Sequence, residues 1–67
     1  MTKDEVVALM RDAGLEEPRV IPHTTAERKH FFDLYAGQRE SRRSERVVRG
    51  TGNTKAVSEA IEKLKHA

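Results

Sequence analysis

The sequence predicts an α+β domain of order α-β-β-β-α: a three-stranded antiparallel sheet with both helices on one face. Three observations lead there. Apolar residues recur at helical spacing near each end of the chain, at Val6, Leu9, Met10 and Ala13 and again at Val57, Ala60, Ile61 and Leu64. Between them lie three short runs rich in β-branched or aromatic residues, bounded by Pro, Gly and polar turns. Finally, 67 residues suffice for one small core, so residues 1–67 form one domain and both helical stripes must bury against the same sheet face.

The first helix opens on Thr2-Lys3-Asp4-Glu5, a capping-box sequence whose acids also suit the positive end of the helix dipole. Gly14 can take the left-handed position just past the helix, with Leu15 making the hydrophobic contact of a Schellman motif, and Pro18 forbids continuation. Residues 19–23 read as a first strand that is either an edge or ends at Pro22, which cannot donate to a ladder. Residues 24–29 read as a loop. Residues 31–35 read as the central strand, with Phe32 and Leu34 on the core face because Asp33 needs water; that phase puts Phe31 and Tyr35 on the open face. The reversed phase, with Phe31 in the core, stays open.

Residues 37–44 read as a turn and residues 45–49 as a third strand, in which either Val47 or Val48 is core. Gly50-Thr51-Gly52-Asn53 reads as a tight connection, with Asn53 or Thr54 capping the last helix. Lys63, Lys65 and His66 suit that helix's negative end.

Composition narrows the function classes. No cysteine is present, so thiolate metal sites and disulfides are excluded and a reducing, cytoplasmic setting is expected. No apolar run approaches the roughly 18–20 residues of a membrane span, and the acidic, amphipathic start does not read as a signal peptide. No metal and no cofactor are expected: His23, His30 and His66 lack ligand spacing, and Gly50-x-Gly52 lacks the third glycine of a dinucleotide fingerprint. So small a chain leaves no room for a deep substrate cavity, and no enzymatic activity is expected.

The net charge of +2 hides a split. Residues 1–17 carry two cations against five acids, −3, and residues 18–67 carry eleven cations against six acids, +5. Five arginines, Arg39, Arg42, Arg43, Arg46 and Arg49, fall between residues 38 and 49. Arginine's planar fork suits phosphate and guanine, although Glu40 and Glu45 interrupt the run. The function expected is a small non-catalytic module that binds DNA or RNA with a basic hairpin and the open sheet face. Its candidate contacts are Arg39, Arg42, Arg43, Arg46, Arg49, Lys55, Arg28, Lys29 and Tyr35. The alternative is a protein-interaction module, such as a phage-encoded inhibitor or adaptor of a host protein, using the open face or the acidic first helix. Geometry separates the two: arginines converging on the open face favour nucleic acid, and arginines pointing in unrelated directions do not.

The element order resembles the double-stranded-RNA-binding domain. Gly50-Thr51-Gly52-Asn53-Thr54-Lys55 is similar to that family's glycine-rich turn into its second helix, where lysines hold phosphates. Only Lys55 remains of those lysines, and Thr25-Ala26-Glu27-Arg28-Lys29-His30 replaces the family's Gly-Pro-x-His loop. Residues 30–64 also resemble the arm-type DNA-binding domain of phage integrases, in the order aromatic strand, basic hairpin, Thr54-Lys55, Glu59-Ala60, Leu64. That resemblance implies a sheet laid in the major groove, without strand cutting.

Overall fold

The computed structural model describes residues 2–49 and 54–66. The order is α1 (Lys3–Asp12), β1 (Arg19–Thr24), β2 (His30–Ala36), β3 (Arg43–Val48), α2 (Thr54–His66). The strands form one antiparallel sheet ordered β1-β2-β3. The predicted connection at residues 50–53, with the Asn53 cap, lies outside the described residues; Thr54 is the first residue of α2.

Helix α1 begins as its sequence dictates. Thr2 Oγ1 accepts from the Glu5 backbone N–H at 3.2 Å, and Glu5 Oε1 accepts from the Thr2 backbone N–H at 3.1 Å. These bonds hold the Glu5 carboxyl below its ordinary pKa, the Thr2 backbone bond contributing most. At the other end Leu15 N–H donates to Met10 O and Gly14 N–H to Arg11 O, both bonds of a Schellman motif. Gly14 has φ +85°, and Leu15 is buried behind it. That motif turns the chain into β1. Gly37 then ties the β2–β3 turn to this corner: its N–H donates to Glu16 O at 2.7 Å. With φ +98°, a Cβ there would meet Ser41 O at 2.9 Å, so backbone geometry and space both demand glycine.

One core joins the layers. Val6 and Met10 from α1, and Val57, Ala60, Ile61 and Leu64 from α2, pack with Val20, Phe32, Leu34, Ala36 and Val47 from the sheet. These strand residues share one face, so both helices lie on that face, α1 over β1 and α2 over β3. Val47 is the core valine, and Val48 faces the other way.

Boundaries differ from expectation in places. As an edge strand, β1 tolerates Pro22 and runs two residues beyond it, to Thr24. β3 starts at Arg43 rather than Glu45, because the turn needs fewer residues than its polar composition suggests. Arg43 is therefore in a strand instead of the hairpin tip, and Arg49 lies just past the strand's end. Phe31 is half-buried on the open face, not in the core. No helix among the described residues is long and apolar enough to cross a membrane.

Candidate functional site

The open face of the sheet is a grid of three rows across β1, β2 and β3. The register sets Arg19, Tyr35 and Ser44 in the first row, Ile21, Asp33 and Arg46 in the second, and His23, Phe31 and Val48 in the third. Strand alternation alone puts these nine side chains opposite the helices.

The centre of the grid is neutral. Arg46 Nε donates to Asp33 Oδ1 at 2.6 Å and Arg46 Nη2 to Oδ2 at 3.2 Å, a bidentate pair between register partners. The hydrogen bonds from Arg46 hold the Asp33 carboxyl below its usual range; partial burial opposes this, and the Arg46 and His23 charges add to it. Arg46 Cζ also lies 5.4 Å from the Phe31 ring centroid, a cation–π contact. Arg46 is thus anchored twice, although its side chain remains 53% exposed while that of Asp33 is 14% exposed.

Around this pair stand two aliphatic side chains, Ile21 and Val48, and two aromatic ones, Phe31 and Tyr35, with Arg19, Ser44 and His23 at the corners. Ile21 is 45% and Val48 57% exposed, the two exposed large hydrophobics among the described residues, and both are on this face. Phe31 and Tyr35 are half-buried beside them.

The nine predicted contact residues do not form one patch. Arg39 and Arg42 are exposed in the β2–β3 turn, and Arg43 begins β3 at that same end of the sheet. Arg28 and Lys29 are at the opposite end, in the β1–β2 turn, where Lys29 N–H donates to Thr25 Oγ1 and Arg28 takes φ +62°. Arg49 joins that end, its backbone N–H donating to His30 O. Lys55 belongs there too, because α2 runs back along β3. The two ends are about 20 Å apart, the length of the seven-residue β2 at about 3.3 Å per step. Of the nine, only Arg46 and Tyr35 are on the open face. Arg43 and Arg49 share the strand parity of Val47, toward the helices, and Arg49 Cζ lies 5.3 Å from the Phe32 ring centroid.

Ile21, Val48, Asp33 and Arg19 were absent from the predicted site. Alternation could have flagged Ile21, which stands one position from Val20, but the Asp33–Arg46 pairing needs the register.

The histidines do not converge. His30 Nδ1 is 3.0 Å from Thr24 Oγ1, His66 Nε2 is 3.3 Å from Glu62, and His23 is on the open face. Among the described residues, no group of three or more His, Asp or Glu side chains is placed to hold a metal. A cleft between the α1–β1 loop, Gly37, Ser41, Arg43 and Lys65 is wide and open, with one carboxylate, Glu16, in its lining.

No family model matches the chain, and no curated protein or solved structure matches it.

Proposed function

We propose that the chain is a non-catalytic protein-docking module whose working surface is the open sheet face. One observation carries this reading: the two exposed large hydrophobics, Ile21 and Val48, flank Phe31 on a face whose central charges cancel. Exposed aliphatic and aromatic side chains with an arginine among them, its charge neutralised by a neighbouring carboxylate, are residue types that protein interfaces favour. A surface for phosphates would instead gather free cations. Here the arginines diverge, and Arg46, the arginine of the 38–49 run on this face, is held by Asp33. The test is affinity capture with the tagged chain from nuclease-treated extract of its source cells. A partner should survive nuclease and be lost with an I21K/V48K double variant of unchanged thermal stability. A partner that vanishes with nuclease sinks the reading.

A second reading, nucleic-acid binding, draws support from the end where Arg28, Lys29, Arg49 and Lys55 gather and where the first turn of α2 carries no acid. It predicts oligonucleotide binding that weakens steeply with salt and with R28E/K29E, while I21K/V48K leaves it intact. Fluorescence anisotropy with duplex DNA, duplex RNA and single strands measures this.

A further inference from the structure

Building on the docking reading, we infer that the occupant of the open face is one amphipathic α-helix of a partner protein, with an apolar stripe flanked by acidic side chains. Shape limits the occupant first. The face is about 20 Å long along its strands, and a helix crossing those strands, about 10–12 Å across with its side chains, covers the middle of it. The footprint, about 15 Å by 20 Å, falls short of the roughly 800 Å² per partner of a standard stable interface. It accommodates one helix, not a second domain.

The apolar residues set the line of contact. Ile21 pairs with Asp33 and Val48 with Phe31, two strands apart and two residues offset. That places them about 12 Å apart, and the line joining them crosses β2 between Phe31 and Asp33. Positions i, i+4 and i+8 of a helix span the same roughly 12 Å at 1.5 Å per residue.

Charge then selects the flanks. Asp33, the one acid among the described residues of the face, has both oxygens engaged by Arg46. The cations left around that neutral pair are Arg19 in the first row, and Arg28 and Lys29 or Arg39 and Arg42 beyond either end. An acidic helix meets complementary charge along this frame, and a basic one meets repulsion. A second copy of the chain fits poorly: it would bring a second Arg19 and the same turn cations to a face whose acid, Asp33, is already engaged by Arg46.

The test uses the full isotope-labelled chain and three designed peptides of about 18 residues: a leucine stripe flanked by Glu, the same stripe flanked by Lys, and the Glu peptide scrambled to destroy the stripe. Amide NMR titration should show the Glu-flanked peptide shifting Ile21, Phe31, Val48 and their neighbours. It should bind about tenfold tighter than the Lys-flanked one, and R19E should shrink that preference. Equal or tighter binding of the Lys-flanked or scrambled peptide overturns the inference, as do shifts confined to α1 and α2. Concentration-dependent shifts of the same residues without peptide would identify a second copy as occupant, and shifts there with a single-stranded or duplex oligonucleotide would identify nucleic acid; either overturns it too. If I21K/V48K still abolishes capture of a cellular partner while the Glu-flanked peptide shows no preference, the docking reading stands and this inference alone falls.

Discussion

The two faces of one three-stranded sheet carry opposite chemistry on interleaved residues. On the inner face Val20, Phe32, Leu34, Ala36 and Val47 are each no more than 5% exposed beneath two helices. One residue along each strand, the outer face holds Ile21, Phe31 and Val48 around a bidentate Asp33–Arg46 pair, with no helix among the described residues packed on it. The inner face is a finished layer. The outer face combines apolar area in water with charges already satisfied, which suits a surface meant to be covered. Apolarity alone does not separate the two faces; the presence of helical stripes to match it does.

The largest expected effect is on the inner face. Leu34→Ala removes a fully buried side chain from the middle of the sheet, at about 2–5 kcal/mol. A domain of this size has roughly 3–5 kcal/mol in total, so urea unfolding should find this variant's midpoint far below the parent's, with half or more of the stability gone. A midpoint equal to the parent's would mean that the inner layer is not the core. Phe31→Ala, across the same strand, should cost about 1–2 kcal/mol, roughly half a buried aromatic, because its ring is half-covered and shared with Arg46. Equal losses for the two variants would erase the distinction between the faces.

These differences were partly legible in the sequence. The helical stripes, the capping box, Gly14 and the Phe32/Leu34 phase could be read because each follows from local periodicity or a fixed motif. Two adjacent valines carry no alternation, so the choice of Val47 over Val48 waited on the register. Register depends on turn length, and the polar run from Gln38 to Ser44 hides where β3 begins at Arg43. The site suffered for the same reason. Arg39 through Arg49 look like one cluster in sequence, but an extended strand carries residues 43–48 about 17 Å along the sheet and alternates their sides. The Asp33–Arg46 pair is thirteen residues apart in sequence and has no local signal at all.

A smaller effect comes from that pair. The folded-state pKa of Asp33 is depressed, so its contribution is present above the ordinary carboxylate range and is lost as pH falls through the lowered value. The pair is half in solvent, where screening keeps it modest. Asp33→Asn should therefore lower the melting temperature slightly at pH 7, and the gap to the parent should close as pH falls below about 4. A gap that widens on acidification would contradict the pairing.

The smallest effect on stability should come from the outermost residues. Ile21→Lys and Val48→Lys replace side chains already about half in water, and each should shift unfolding by no more than about 0.5 kcal/mol.

The decisive measurement combines both readouts on the I21K/V48K double variant: its melting temperature, and its capture of the nuclease-resistant partner. The outer face as docking surface predicts near-parental melting with capture abolished. Capture retained at parental strength, by a variant that is fully folded, would contradict it.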